Sequence, residues 1–195
     1  SAAFSTSGMN IEKQLIAQCI QGDRKAQLRL YDQCYSYMMS ICIRYCKDKH
    51  EAGSRLNMSF LKVLQHLGQF DHTGSFKAWV SKITLRSIID EFRSQQKHYQ
   101  QHVYYGQLSQ EMDWPSEEVN HLAEETDLDH LLAVINRLSP MDKQVFNLFA
   151  IDGYGHKEIA NMLNISEGTS KWHVHEARKK IKEALMKESK TTSLK

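Results

Sequence analysis

Apolar residues recur every three or four positions through most of the chain, which is the spacing of amphipathic α-helices. The spacing predicts helices over residues 11–20, 26–46, about 55–67 and 76–97. Gly22 and Asp23 separate the first two helices, and Asp23 fits the N-cap of the second. The period-two alternation of a half-buried strand does not occur, so the pattern predicts an all-α fold.

The helical pattern weakens after residue 97 and returns at residue 127. The intervening residues include Asp113-Trp114-Pro115, and a proline opposes a continuing helix. We therefore predict two helical domains, 10–97 and 127–188, joined by a flexible linker over 98–126. Residues 1–9 are interpreted as a remnant of the expression vector, and residues 189–195 are interpreted as a tail.

A helix start and a tight helix–helix turn are predicted in the second domain. Ser139 fits an N-cap, and Pro140 fits the first helical position. Further on, Asn164 stands where a short turn requires a left-handed residue, and Ser166 can cap the helix that follows. Because Ala160 is small enough for the two helices to approach closely, this segment is predicted to be a helix-turn-helix.

The helix after Ser166 divides into a buried stripe and a polar face at about 100° per residue. The stripe predicted to pack inward consists of Ser170, Val174, Ala177, Ile181 and Leu185. Trp172 and Lys179 lie opposite the stripe, with His175 beside them. Trp172 can contact bases, or it can cover a neighbouring helix as satellite core.

The formal net charge of +2 conceals a strong asymmetry along the chain. Residues 10–97 carry 14 Lys/Arg against 8 Asp/Glu, and residues 171–187 carry six against two. Residues 98–125, in contrast, contain six acids and no Lys or Arg. Two basic modules suit a polyanion such as nucleic acid, and the acidic segment between them suits a different partner.

Three cations of the long helix, Lys82, Arg86 and Arg93, fall within a sector of about 40°. This basic stripe suits a phosphate backbone, and a solvated face is the alternative interpretation. The loop before the helix, residues 70–76, offers polar groups and backbone suited to an unstacked base. Trp79 lies at the edge of the stripe, where both a strand contact and a core position stay open.

Composition and motifs exclude several classes of protein. With 41% hydrophobic and 25% charged residues, the chain is globular rather than disordered. No apolar run is long enough for a membrane span, and the four cysteines lack the spacing of a secreted scaffold, so a cytoplasmic protein is expected. No phosphate-binding loop, nucleophile elbow or convincing carboxylate pair occurs, so neither an enzyme nor a cofactor is predicted.

Two groups of potential metal ligands are weak. Cys42, Cys46 and His50 follow at i,i+4 spacing and could share a helix face, but a metal needs a fourth ligand. Buried core cysteines are the preferred interpretation. His173 and His175 stand two positions apart and point to different sides of a helix, so no zinc site is predicted there.

Three segments together resemble an RNA polymerase sigma factor of the extracytoplasmic-function (ECF) type, in its minimal two-domain form. They are "LIAQCIQGDRKAQLRLYDQCY", "FDHTGSFKAWVSKITLRSIIDEFRSQQK" with its Gly-Ser-Phe-x-x-Trp core, and "LSPMDKQVFNLFAIDGYGHKEIANMLNISEGTSKWHVHEARKKI". The last is closest to versions from the Bacteroidetes group. The resemblance covers about residues 15–97 and 127–186, which is nearly the whole chain.

The resemblance implies a division of labour between the domains. The first would dock on the clamp of core RNA polymerase through Asn57 and Phe60, and would open the minus-ten element into single-stranded promoter DNA. The second would recognise the minus-thirty-five element as double-stranded DNA. The resemblance also implies an anti-sigma factor as a partner. The chain itself is not expected to insert into a membrane.

The resemblance and the helix geometry together assign two sets of DNA-binding residues. The recognition helix would use Ser166, Gly168, Thr169, Lys171, Trp172, His175, Arg178 and Lys179. Promoter melting would use Asp71, His72, Thr73, Lys77, Trp79, Lys82, Arg86 and Arg93. The first set would contact the duplex, and the second would hold the separated strand.

Residues 52–60, "AGSRLNMSF", depart from the family pattern. Gly53, Ser54 and Met58 replace the expected acids, Asn57 replaces a glutamine, and only Phe60 matches fully. The departure implies weak docking on polymerase or docking by other contacts. The alternative function is therefore a stand-alone helix-turn-helix regulator, or a diverged sigma-like interaction protein.

Overall fold

The computed structural model describes residues 11–100 and 128–192, with side chains over 11–96 and 131–187. These ranges are helical and contain no strand, which confirms the predicted all-α class. The chain divides into two units, residues 1–97 and 98–195. From residue 101 to residue 126 the predicted linker lies outside the described residues, whereas its first three residues continue a helix.

The described part of the first unit is built from helices joined by short turns. They are α1 (Lys13–Ile20), α2 (Arg24–Tyr45), α3 (Lys49–His66) and α4 (Phe76–Gln100). A 3-10 turn, Leu67–Gln69, follows α3. As predicted, Asp23 caps α2, because its carboxylate accepts hydrogen bonds from Lys25 N at 2.8 Å and from Ala26 N at 3.2 Å.

Helix α3 begins six residues earlier than the predicted start near residue 55. Gly53 and Ser54 favour a break by propensity, and the glycine costs about 1 kcal/mol relative to alanine. Packing outweighs this cost, since Ala52 and Leu56 are both fully buried against the other helices. The predicted start near residue 55 is therefore wrong, because tertiary contacts outweigh local propensity at this position.

The core of the first unit combines one face from each of its helices. Its large buried side chains include Leu15, Ile16, Leu30, Met38, Leu56, Val63, Val80, Leu85, Ile88 and Phe92. Ion pairs cross from α3 to α4 at the rim: Arg55 Nη1 lies 3.2 Å from Glu91 Oε2, and Lys62 Nζ lies 3.9 Å from Asp90 Oδ2. Burial therefore fixes which face of α4 remains for other contacts.

The described part of the second unit has α5 (Leu128–Asn136), α6 (Pro140–Phe146), α7 (His156–Leu163) and α8 (Glu167–Thr192). A π-helical turn, Asn147–Ile151, continues α6. As predicted, Ser139 caps α6, and Pro140 occupies its first turn. The core cluster consists of Val134, Ile135, Leu138, Phe146, Ala177 and Ile181.

None of the helices within the described ranges has the length and apolar character that a membrane span requires.

Candidate nucleic-acid interface

Asn164 and Ser166 build the turn between α7 and α8. Asn164 ends α7 in the left-handed conformation, with φ 56° and ψ 49°, as its position predicts. Ser166 Oγ then accepts a hydrogen bond from Thr169 N at 2.9 Å, which satisfies one of the free N–H groups at the start of α8. These two local devices set the direction in which α8 leaves the turn.

Helix α8 buries four of the five residues of the predicted stripe, and the fifth, Leu185, is half-buried. Ser170 and Ala177 are inaccessible to solvent, and Val174 and Ile181 are nearly so. Trp172, in contrast, is 42% exposed, so it is a surface side chain rather than part of the core. The packing of α8 thus leaves a large aromatic side chain on its free face, within the first two turns.

Lys179 shares this free face with Trp172, because seven positions are nearly two helical turns. Lys179 is exposed, while His175 beside it and Gly168 before it are half-buried. The four residues combine an aromatic ring, a cation and an imidazole on one side of the helix. A surface of this composition suits the edges of bases flanked by phosphates.

The other residues predicted at the start of α8 make local contacts. Ser166 Oγ lies 2.7 Å from Thr169 Oγ1, and Lys171 Nζ forms an ion pair with Glu167 Oε1 at 3.5 Å. Both pairs lie near the surface, so the hydroxyls and the ammonium group remain accessible. An exposed i,i+4 pair of this kind is weak and is readily exchanged for a phosphate.

Arg178 lies on the flank of α8 rather than on the free face. Its guanidinium carbon is 5.5 Å from the centroid of Phe149, and burial lowers the pKa of this arginine. The His156 ring stacks on the same phenyl ring at 4.5 Å, and His156 Nδ1 lies 3.0 Å from Ser170 Oγ. Arg178 thus joins α8 to the π-helical turn, and its predicted phosphate contact stays a prediction.

The opposite flank of α8 is held by a buried carboxylate on α6. Asp142 is 1% exposed, and its two oxygens lie 2.7 Å from His173 Nδ1 and 2.6 Å from Lys180 Nζ. Burial by itself would raise the pKa of Asp142, but hydrogen bonds from His173, Lys180 and Ser139 lower it to about 2. The carboxylate is therefore ionised and anchors α8 at two points that lie nearly two turns apart.

This anchor was missed by sequence reasoning. In the sequence, His173 stands out only as a potential zinc ligand that its spacing from His175 disfavours, and Lys180 belongs to a basic run whose cations suit phosphates. The acid at the third position of α6 fits a helix start, which is the one sequence signal it offers. Its partners lie 31 and 38 positions further along the chain, where no local pattern connects them.

In the first unit, the basic stripe of Lys82, Arg86 and Arg93 lies on α4 as the helical angles predict. Lys82 and Arg86 are exposed, and Arg93 is half-buried. Within the described side chains of this unit, none of the three forms an ion pair. The stripe is thus an uncompensated row of cations, which favours an anionic partner over a merely solvated face.

The loop before α4 has a constrained backbone at its centre. His72 adopts a positive φ of 60°, which is uncommon for a residue with a side chain. The preceding Asp71 accepts hydrogen bonds from Thr73 N at 3.0 Å and Thr73 Oγ1 at 2.9 Å, and these lower the pKa of the carboxyl. All three residues are exposed, so the loop presents its polar groups to solvent.

Trp79 belongs to an aromatic cluster at the base of this loop. Its ring lies 5.5 Å from Phe70 and 5.7 Å from Phe76 between centroids, and the side chain is half-buried. One part of the indole therefore packs in the cluster while another part stays accessible.

The ammonium of Lys77 lies 4.7 Å from the Tyr37 ring centroid, so this cation is held over α2 rather than beside the basic stripe.

The two residues predicted for polymerase docking differ in their surroundings on α3. Phe60 is 7% exposed, and its ring meets the Tyr31 ring edge-on at 5.0 Å. Asn57 is exposed, and its side-chain oxygen accepts a hydrogen bond from the Tyr31 hydroxyl at 2.8 Å. Met58 and Leu61 beside them are 55% and 50% exposed. The accessible face of α3 thus presents the apolar Met58 where the resemblance implies an acid, with the polar Ser54 and Asn57 also exposed.

The cysteines belong to the core, and the spacing of Cys42 and Cys46 with His50 does not produce a shared helix face. Cys42 and Cys46 are buried, and burial raises the pKa of Cys42 to about 12. Helix α2 ends at Tyr45, and His50 is exposed on α3, so the three side chains do not share one helix face. In the described ranges, no group of His, Cys, Asp or Glu side chains is arranged to hold a metal.

Comparison with known proteins gives a consistent family. The model of the ECF sigma factor family matches residues 10–187. The chain is similar to the ECF RNA polymerase sigma factor SigW of Bacillus subtilis, with 24% identity over 182 residues, which is 89% of this chain and 96% of SigW. It is also similar to the ECF RNA polymerase sigma factor SigK of Mycolicibacterium vanbaalenii, with 23% identity over 88% of this chain and 87% of SigK.

A solved structure supports the same fold. The sigma factor RpoE, determined in complex with the anti-sigma factor NepR from Bartonella quintana, aligns with a TM-score of 0.50 at 18% identity. The alignment covers 81% of this chain and 95% of that structure.

Proposed function

Because this chain belongs to the ECF sigma factor family, and so binds core RNA polymerase and recognises promoter DNA, we propose that its two units divide promoter recognition between them. The second unit contacts duplex DNA through the free face of α8. The first unit docks on polymerase through α3 and separates the promoter strands with α4 and the loop before it. As a regulatory factor, the protein supplies specificity, and catalysis belongs to the polymerase.

Duplex recognition rests above all on Trp172. Its indole is 42% exposed on the face of α8 opposite the buried stripe, with Lys179 on the same face. Burying so large an apolar side chain in a groove is favourable, and the nearby cation can contact a phosphate without regard to sequence. We assign the minus-thirty-five element to this face, with Ser166, Thr169 and Lys171 contacting the DNA backbone at the start of the helix.

Strand separation is assigned to the basic stripe and to the loop residues Asp71, His72 and Thr73. The stripe provides cations for the phosphates of one strand, and the exposed loop provides polar groups for an unstacked base of the minus-ten element. Trp79 is half-buried against Phe70 and Phe76, and stacking of a base on its accessible part would extend the aromatic cluster.

Docking on polymerase is assigned to the exposed face of α3, with Met58 and Leu61 beside Asn57. In this chain the exposed Met58 stands where the resemblance implies an acid, and Leu61 beside it is exposed as well, so we propose that the contacts on the clamp are mainly hydrophobic. Phe60 is buried beneath this face, where its ring contacts the Tyr31 ring. It therefore stabilises the face and does not itself need to contact the polymerase.

The acidic segment 98–125 is assigned to the polymerase rather than to DNA. Its net charge of −6, from six acids and no Lys or Arg, opposes contact with promoter phosphates. A basic polymerase channel that otherwise receives nucleic acid is the matching surface. We further propose that an anti-sigma factor controls the chain in the cytoplasm, in keeping with the resemblance and with the RpoE–NepR complex.

Run-off transcription with purified core polymerase tests this function. The expected result is initiation at selected promoters only when both this chain and the core enzyme are present. Sequence-specific DNA binding without any transcription would instead favour a stand-alone regulator. This is the alternative function implied by the departure of residues 53–58 from the family pattern.

A further inference from the structure

We propose that Asp142 and His173 are positioning residues for promoter specificity. The buried Asp142 holds the His173 ring, and this ring fixes the orientation of the Trp172 indole. The inference rests on the proposed function, because it gives Trp172 a role in recognising bases. It adds two residues that touch no DNA, and one of them lies on a different helix.

The first link is the bond between Asp142 and His173. A carboxylate with a pKa near 2 is ionised and can only accept a hydrogen bond. The 2.7 Å contact therefore requires that His173 Nδ1 carries a proton and donates it to Asp142 Oδ1. Because the Asp142 carboxylate is buried in the packing of α6 against α8, it cannot follow the imidazole, and the ring is fixed in one rotation.

The second link is the contact between the two rings. The centroids of His173 and Trp172 lie 4.8 Å apart with an interplanar angle of 73°, which is the edge-on geometry that aromatic rings favour. Adjacent side chains on a helix point about 100° apart, so this contact occurs only for particular rotamers of both residues. A ring held by Asp142 therefore restricts the rotamers available to the exposed indole.

An exposed indole without this support would populate several rotamers, and binding would have to select one of them. Ordering one such side chain lowers affinity by about two- to tenfold. The cost falls on contacts that need a defined ring position, so it reduces discrimination between sequences more than general attraction to phosphates.

The chain supplies a matched control in Lys180. It binds the other oxygen of the same carboxylate at 2.6 Å, on the same helix, and it lies eight positions from Trp172. Lys180→Gln therefore weakens the same anchor without altering the ring contact. His173→Asn is the complementary variant, since an asparagine amide can still donate to Asp142 but has no ring to place against the indole.

The experiment uses the full chain with core RNA polymerase, a duplex selected by the wild-type protein from a randomised pool, and a scrambled duplex of the same composition. The ratio of the two affinities is measured for Trp172→Ala, His173→Asn, Asp142→Asn and Lys180→Gln. We expect the first three to lower the ratio, with about a two- to tenfold loss for the His173 and Asp142 variants. Lys180→Gln should leave the ratio unchanged.

A second measurement follows the indole directly, by fluorine NMR of the full chain labelled with 5-fluorotryptophan, with the Trp172 signal assigned by Trp172→Phe. We expect that signal to shift in the His173 and Asp142 variants but not in Lys180→Gln. If Trp172→Ala lowers the ratio while His173→Asn and Asp142→Asn do not, the positioning role is overturned and the proposed function stands. If Trp172→Ala leaves the ratio unchanged, the recognition role itself fails, and the specificity role of Asp142 fails with it.

Discussion

The hydroxyl of Tyr31 donates a hydrogen bond to the side-chain oxygen of Asn57 across 2.8 Å, and this bond holds Asn57 of α3 against α2. The exposed side chains near Asn57 on α3 include the apolar Met58 and Leu61 and the polar Ser54. Met58 stands where the resemblance implies an acid, so its exposed side chain provides a direct test of docking.

Met58→Glu should weaken binding to core polymerase by about ten- to hundredfold, because burial of such a side chain contributes about 1.5–3 kcal/mol. Binding can be measured by fluorescence anisotropy of the labelled chain. Ile20→Glu is a suitable control, since it makes the same change at a residue of α1 that is 54% exposed. Tighter binding of Met58→Glu would show that the clamp still requires an acid there.

The basic stripe should act in strand opening rather than in docking. Lys82→Ala combined with Arg86→Ala removes two exposed cations, so we expect fewer open complexes at unchanged affinity for core polymerase. Permanganate reactivity of unpaired thymines measures the opening. Lys13→Ala, at an exposed cation of α1, should leave it unchanged. Normal strand opening in the double variant would contradict this role and favour the alternative interpretation, that the stripe is a solvated face of α4.

Trp172 and Lys179 should fail in different ways although they share one face of α8. Trp172→Ala should cost about 1–3 kcal/mol of discrimination at one or two base pairs while leaving the fold nearly intact. Lys179→Ala should weaken binding to all sequences alike and reduce the salt slope by about one. Binding series on selected and scrambled duplexes, with a thermal melt of each variant, distinguish the two. The assignment would be contradicted if Trp172→Ala lowered the melting temperature as much as the truncation of a core side chain does and left the preference between the two duplexes unchanged.

The acidic segment should matter more for initiation than for promoter binding. Replacing Glu117, Glu118, Glu124 and Glu125 by glutamine removes four charges, which should impair run-off transcription while promoter affinity is kept. Aspartate at the same four positions is the control, because it conserves the charge. Unchanged transcription in the glutamine variant would refute a role in the polymerase channel.

Asp142 should make the second unit sensitive to acid. Its folded pKa of about 2 lies below its ordinary value of 3.8, so the carboxylate stabilises the fold fully above about pH 4. This stabilisation, about 2 kcal/mol by linkage, is lost as the pH falls from about 4 towards 2. Urea unfolding of Asp142→Asn should therefore show a lower free energy of unfolding at neutral pH and a flatter decline in acid.

Asp71→Asn is the matched control for this measurement. The hydrogen bonds from Thr73 also lower the pKa of Asp71, but this carboxyl is fully exposed, so its removal should change the acid decline far less. An equal effect of the two substitutions would indicate that burial of Asp142 does not strengthen its bonds to His173 and Lys180.

The sequence by itself determined the helical class and the devices that depend on near neighbours. Asp23, Ser139 and Ser166 cap the helices that they were predicted to cap, and Asn164 adopts the left-handed turn. Helical rotation also placed Trp172 opposite the buried stripe of α8. These features follow from contacts within one or two turns, so the local residue order contains all that is needed to predict them.

Only the tertiary structure decided the features that depend on distant partners. It moved the start of α3 to Lys49, because the burial of Ala52 and Leu56 outweighs a local glycine. It placed Arg178 over Phe149 and brought Asp142 to His173, pairs that are 29 and 31 positions apart. The physical reason is that burial and charge pairing act through space, so the same lysine or histidine is free or bound according to which helix packs beside it.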